Sequence, residues 1–483
     1  MSLGVPGAAD ALVSRLRTRA VLALLVIFGV VVPVLALAGA IDAYALNRLG
    51  RYLCFAIVAL GIDLIWGYAG VLSLCHAFFF CLGAYAMGMH LSLPGAGGDV
   101  RPEYNNIPQF FFFNGVEALP AWWEPFGFLP VAVVVGLVLP AAVAGVVAFV
   151  IFRNRVRGVY FSILTQAVAW GAFLAFSRNE LLLGGTNGLT NFYKPLNSDP
   201  YWIVALYLMT LAALAGAFLA CRALVESRAG RVLVAIRDQE SRLRFMGYRP
   251  DLYKAGAFAC AALLAAVGGL LYAPQNGIVT PNVMRVEDSI WMAIWVAVGG
   301  RGRLWGAVAG ALVANVTYAM LTSDVPRVWP FVQAALFLTV LVYPDGVSQL
   351  WIKLEQEVRG GGRVGRALVA FAFLMLFLLV DRMALLPRAL SLTEFAGIQS
   401  KYWIALVATA GIGWAPVAPT AVPLLAITGV VAGEALGLLP TGARTLKYIV
   451  LATAFAWYLA RETGFITRVP ARPWRVRPAG SSG

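Results

Sequence analysis

Apolar runs of about twenty residues, the length that crosses a bilayer as a helix, recur along this 483-residue chain and are separated by short polar segments. The runs predict spans at 20–40, 52–69, 71–92, 129–151, 159–177, 201–221, 253–273, 289–300, 304–321 and 330–348. Two places depart from the pattern. Residues 289–300 are short for a full crossing and read as re-entrant or supported by neighbours. Spans two and three are joined only by Gly67-Tyr68-Ala69-Gly70. A broken helix inside a membrane needs protein or a water-filled cavity over its freed backbone, which points to a pathway near residues 63–76. Four further runs (367–387, 402–418, 420–438, 446–460) follow a Gly-rich polar stretch. The expected fold class is therefore all-α and polytopic, with about ten core helices and about four C-terminal ones. The domains expected are an N-terminal segment 1–19, a transmembrane domain 20–350, a linker 351–366, an appended module 367–462 and a basic tail 463–483.

Composition and charge agree with a membrane protein. The chain is 61% hydrophobic and 12% charged, against roughly 25% charged in soluble domains. Its net charge of +14 sits in short loops between apolar runs, as the positive-inside rule requires, so no nucleic-acid partner is implied. The basic segments 1–19, 153–157, 222–254 and 301–303 fall on one side in alternation with 93–128, 178–200 and 274–288, and both termini are expected in the cytoplasm. Residues 20–40 exceed the core of a signal peptide. Ala36-Leu37-Ala38 imitates a cleavage site, but a retained first span is the expected reading. The five Cys lie in or beside apolar runs without metal-ligand spacing and read as buried free thiols.

The longest polar stretch inside the apolar chain is Arg222–Lys254, with eight basic and four acidic side chains. Val232, Leu233, Ile236, Leu243 and Phe245 recur there at roughly helical spacing, predicting a short amphipathic helix along the membrane face. Gly247 stops it and Pro250 blocks its continuation. Such a helix either receives a push from a soluble partner or simply anchors a loop to headgroups.

No catalytic or metal-binding constellation is present. No Gly-Lys pair exists, so the chain has no P-loop, and ATP-Mg would have to bind on another subunit. Pathway candidates are Asp63, Ser73, His76, Gln166, Asn187, Gln275 and Asn276. A buried carboxylate such as Asp63 is a functional candidate by default, yet it could equally cap the broken backbone or pair with a neighbouring span. His76 could be a hydrogen-bonded packing residue, and the neutral amides could bond helix to helix. Gly184-Gly185-Thr186-Asn187-Gly188 is either a plain turn or a lip over an entry path.

Four motifs occur together in order: ALGIDLIWGYAGVLSLCHAFFFCLGAYAMGM (59–89), NELLLGGTNGLTNF (179–192), VLVAIRDQESRLRFMGYRPDLYKAGAFACAALLAAVGGLLYA (232–273) and SIWMAIWVAVGGRGRLWGAVAGAL (289–312). They resemble the LivM-like permeases of the branched-chain amino acid family of ABC importers, over about residues 20–350. EALPAWWEPF (117–126) resembles the urea branch. The resemblance implies an inner-membrane permease paired with a second, homologous permease, two cytoplasmic ABC ATPases and an extracytoplasmic solute-binding protein. It implies that Glu240–Gly247 is the loop that docks into the ATPase, with Arg237, Glu240, Arg244 and Gly247 as coupling residues. The chain departs from the family at Ser241 and Arg242, where alanines are usual, at Cys75, where glycine commonly precedes the histidine, and in the module after residue 363. A branched-chain amino acid permease and a nucleotide-independent channel are the competing readings.

Overall fold

A computed structural model describes residues 27–38, 42–94, 107–192 (except 109, 112–115, 117, 157 and 191), 200–324, 333–334, 394–395 and 398–399. The expected spans 330–348, 367–387, 402–418, 420–438 and 446–460, and both termini, lie outside the described residues apart from two residues, 333–334. The chain divides into two compact units, residues 1–352 with 379–388, and 353–378 with 389–483. In the second, a two-residue antiparallel pairing of Glu394–Phe395 with Ile398–Gln399 is described.

The first unit is all-helical, with ten α-helices among the described residues: α1 (Val32–Leu37), α2 (Ala43–Asp63), α3 (His76–Ser92), α4 (Leu129–Arg153), α5 (Val159–Phe176), α6 (Pro200–Glu226), α7 (Arg228–Phe245), α8 (Pro250–Asn276), α9 (Val286–Gly299) and α10 (Leu304–Asp324). A π turn, Leu64–Tyr68, extends α2. Five helices are long and apolar enough to cross a membrane: α2 with its extension, α4, α5, α6 and α8. Two of the expected crossings are shorter. Helix α9 has 14 residues and rises about 21 Å, less than the ~30 Å hydrocarbon core. Helix α3 starts at His76 rather than at Val71, so the break after α2 runs through residue 75.

Helix α8 is the hub, packing on α2, α3 and α4. Its buried residues Ala257, Ala261, Ala265 and Gly268 repeat at helical spacing on one face. Small residues let main chains approach closely, which is how helices associate where lipid removes the hydrophobic drive between them. The approach is tightest against α3, where a Cβ on Gly269 would strike the carbonyl of Phe80 and one on Gly83 would strike that of Ala266. Phe55, Phe80, Tyr272 and Trp295 fill the space between α2, α3, α8 and α9, with Phe55–Trp295 and Phe80–Tyr272 centroids 5.1 Å apart. The apolar stretch of α2 is 83% buried inside the protein and that of α5 only 17%. Helices α2 and α8 are therefore the interior, while α4, α5 and α6 present apolar side chains outward, as lipid-facing helices do. Cys54, Cys75, Cys81 and Cys221 are buried free thiols, whereas Cys260 faces outward on α8.

Candidate functional site: a polar helix beneath a broken span

The turn into α7 is made by Ser227. Its hydroxyl accepts the Gly230 N–H at 3.3 Å and donates to the Leu224 carbonyl at 2.6 Å, an N-cap at the single residue between α6 and α7. Leu233, Ile236 and Leu243 are buried, as the apolar spacing predicts. Phe245 is not on that face: it is 92% exposed. It lies two residues, about 200° of helix rotation, past Leu243. The helix is also not continuous, because Gln239 has φ −150° and ψ 76°. Two short helices result. The first carries Arg237, and the second carries Glu240, Arg244 and the exposed Phe245-Met246 tip.

Glu240 anchors the second half. Its carboxylate accepts from Arg244 Nη2 at 2.8 Å and from Lys254 Nζ at 2.8 Å. Lys254, in the first turn of α8, is buried and lies 5.5 Å over the ring of Phe152 at the end of α4. The end of α7 forms a Schellman motif: Gly247 N–H donates to Arg244 O at 3.1 Å and Tyr248 N–H to Leu243 O at 3.1 Å. This needs a left-handed residue at Gly247, whose φ is +84°.

Arg237 turns the other way, into the bundle. Its Nη1 donates to the carbonyl of Gly67 in the π turn of α2 at 2.8 Å, and its Nε to Asp238 Oδ1 at 3.0 Å. Asp63, one turn earlier on α2, accepts the backbone N–H of Gly302 at 2.6 Å. Gly302 belongs to the α9–α10 turn, and Gly67 leaves no room for a side chain against it: a Cβ on Gly67 would lie 2.8 Å from Gly302 Cα. Arg301 sits 5.5 Å over Trp66. Asp63 thus meets the α9–α10 turn through one carboxylate oxygen. Two segments that loop charge is expected to place on one side of the membrane, 222–254 and 301–303, meet the break here.

Above this junction Gly70, at φ +73°, ends α2, and Val71 N–H closes back on Ile65 O at 3.1 Å. Residues 69–75 are then non-helical, and their backbone is met by side chains from elsewhere, as a buried break requires. Ser162 Oγ donates to Leu72 O at 2.8 Å, and Thr165 Oγ1 accepts from Leu74 N–H at 3.1 Å. Ser289 Oγ of α9 accepts from Ala77 N–H at the start of α3, at 3.3 Å. Ser73 lies 3.3 Å from the Cys75 thiol. His76 is fully buried, edge-on to Phe79 and Phe258 at 6.2 and 5.8 Å, and no side-chain partner meets its ring nitrogens.

The remaining candidates do not gather here. Gln166 is half-buried on α5, and Asn187 is exposed. Asn187 sits in a turn pinned by the Leu189–Val279 backbone pair. Gln275 and Asn276 close the other end of α8. Gln275 Nε2 donates to Thr210 Oγ1 and Asn276 Oδ1 accepts from Arg51, each at 2.8 Å. They join helix to helix. Sequence reasoning missed Gly302, Lys254, Ser162, Thr165 and Ser289. The signal for Gly302 was the Gly-Gly-Arg-Gly turn. The hydroxyls carry no such mark, since their partners lie about 90 and 212 positions away.

Comparison with known proteins places this geometry. Residues 44–341 match the family described as "Branched-chain amino acid transport system / permease component". The high-affinity branched-chain amino acid transport system permease protein LivM of Escherichia coli is 24% identical over 333 residues, covering 64% of this chain and 69% of its own length. LivH of Salmonella typhimurium is 25% identical over 315 residues, covering 61% of this chain and 90% of LivH. A probable LivM of Methanocaldococcus jannaschii is 23% identical over 280 residues, covering 55% and 78%. No solved structure matches. These relatives are transport permeases, membrane components rather than enzymes. The family match runs from α2 through α10, across the broken span, the polar helix and the junction joining them, and the chain belongs to the permease family of branched-chain amino acid ABC transporters.

Proposed function

We propose that this chain is the transmembrane permease subunit of an ATP-driven importer of urea or a short amide. In this reading α7 is the cytoplasmic coupling helix, and its exposed Phe245-Met246 tip seats in an ATPase that binds ATP-Mg. The chain pairs with a second, homologous permease and receives solute from an extracytoplasmic binding protein. It lies in the bacterial inner membrane with both termini cytoplasmic. Similarity to both a LivM and a LivH supports pairing of two related permeases. The observation that carries the mechanism is the junction of Arg237, Gly67, Asp63 and Gly302, which sets a helix with an exposed tip directly against a broken span. Closure of the ATPase dimer displaces α7, and residues 69–76 change access between the two sides.

The groups around the break support this solute class. Ser73, His76, Ser162, Thr165 and Ser289 offer neutral donors and acceptors. Among the described residues two charged side chains are buried, Asp63 and Lys254; one Asp63 oxygen accepts from Gly302, and Lys254 donates to Glu240. A neutral amide needs hydrogen-bond partners, whereas a zwitterion also needs countercharge. The second reading, a branched-chain amino acid importer, is favoured by the names of the relatives. Radiolabelled urea and leucine uptake, with and without ATP, in vesicles holding the full complex separates them. ATP-dependent urea uptake supports the first, ATP-dependent leucine uptake replaces it with the second, and uptake indifferent to ATP points to a channel. Residues 363–483 are read as an appendage to the transport unit. Their deletion should leave uptake measurable, and a truncated chain that inserts but transports nothing overturns that assignment.

A further inference from the structure

We infer that Arg237 is the residue that transmits movement of the polar helix to the pathway, by holding the main chain of α2 at the point where its helix gives way. The inference rests on the importer reading above. Family resemblance places Arg237 in the coupling loop, on the side of the ATPase. The geometry turns it inward.

Beyond Gly67 the carbonyls at the end of α2 run out of intrahelical donors, as at any helix C-terminus. The Gly67 carbonyl takes its donor from Arg237 Nη1 at 2.8 Å. Asp238, next in sequence, fixes the guanidinium by accepting its Nε–H at 3.0 Å. The planar fork of arginine serves both partners at once, which an ammonium does not. Gly70, three residues on, leaves the space this side chain occupies: a Cβ there would lie 2.6 Å from Arg237 Cγ. Segment 69–75 follows directly, without regular backbone pairing, so a displacement at Gly67 meets less resistance there than in any unbroken helix. Gly67 also abuts the Gly302 turn that Asp63 holds, so the start of α10 is engaged by the same contact. Arg237 stands two residues before the non-helical Gln239. A displacement of α7 that carries its first half, Arg228–Asp238, therefore reaches α2 through this side chain. Arg237 is a positioning residue: it acts on the pathway through the Gly67 carbonyl.

The readout is solute moved per ATP hydrolysed in vesicles holding the full complex, with labelled urea and labelled leucine as probes. Arg237→Ala should keep roughly half or more of the ATP hydrolysis while uptake falls about tenfold or more, the scale of one lost charge-assisted hydrogen bond. Arg237→Lys, which keeps the charge but not the fork, should recover part of the ratio. Gly70→Ala, which leaves the arginine in place and pushes its side chain off the carbonyl, should lower the ratio in the same way. Hydrolysis and uptake falling in proportion in Arg237→Ala would make it a docking residue and overturn the inference. A normal ratio in Arg237→Ala or in Gly70→Ala overturns it as well. If the unmutated complex shows no ATP-dependent uptake of either probe, the importer reading fails and the inference falls with it.

Discussion

Lys254 is the side chain that fixes the tip half of α7 to the bundle, and replacing it with methionine isolates that role. Met keeps the length of the stem and its packing over Phe152, and removes only the ammonium. Lys254 and Glu240 side chains are 7% and 13% exposed, so water replaces the lost partner poorly. Removing one member of a buried pair costs ~3–5 kcal/mol when the other is left bare. Here Arg244 still meets Glu240 at 2.8 Å, so the cost should approach that of one hydrogen bond to a charged group, about 2 kcal/mol. That is about a thirtyfold rise in the open population of residues 240–246. Hydrogen–deuterium exchange on the purified complex reads it directly. Amides of 240–246 should exchange about thirtyfold faster while those of 228–236 stay as they were. A double-mutant cycle with Glu240→Gln should return a coupling of about 1–2 kcal/mol. Unchanged exchange at 240–246, or strict additivity in the cycle, would refute the anchoring argument.

Three further outcomes are expected. Gly247→Asp puts a side chain into open space but at φ +84°, costing ~1–2 kcal/mol for a left-handed residue. The chain should insert normally and lose uptake, and normal uptake would remove Gly247 from the coupling machinery. Thr165→Val strips the Leu74 N–H of its acceptor in a buried site, at ~1–3 kcal/mol; uptake and the melting temperature of the complex should both fall and Thr165→Ser should restore them, whereas a silent Thr165→Val would mean that the break is not held by α5. Asp63→Asn retains an oxygen for the Gly302 N–H and should keep most of the uptake, while Asp63→Leu should not. Equal loss in both would return Asp63 to the list of pathway groups.

The parts of this architecture legible in the sequence are those written in local periodicity. The long runs appear as α2, α4, α5, α6 and α8, and Arg222–Lys254 contains the polar helix with its end at Gly247. The break at Gly67–Gly70 was legible from its glycines, but its extent was not. Val71-Leu72-Ser73-Leu74-Cys75 has the composition of a helix. It is non-helical, and Ser162 and Thr165, on a helix about 90 positions away, supply it with hydrogen bonds that no local pattern encodes. The placement of Phe245 on the apolar face failed for a simpler reason, since two residues beyond Leu243 is the opposite side of a helix. The kink at Gln239 has no glycine or proline to mark it. Asp63 and Gln275 were singled out because polar groups in apolar runs are conspicuous, but conspicuousness carries no information about the partner. Only the fold shows that one holds a turn and the other another helix.

The contact between α3 and α8 has a kinetic consequence. Side chains that interdigitate can change rotamer and let two helices slip past each other. Main chains cannot, and here Gly83 and Gly269 face carbonyls with no room for a methyl group. An axial slip of about one turn, ~5.4 Å, would bring Ala265 or Ala273 to the place of Gly269, with a Cβ directed at the Phe80 carbonyl. The two helices are therefore locked against such a slip. In the importer proposed above, opening would fall on the places where the chain is already unwound.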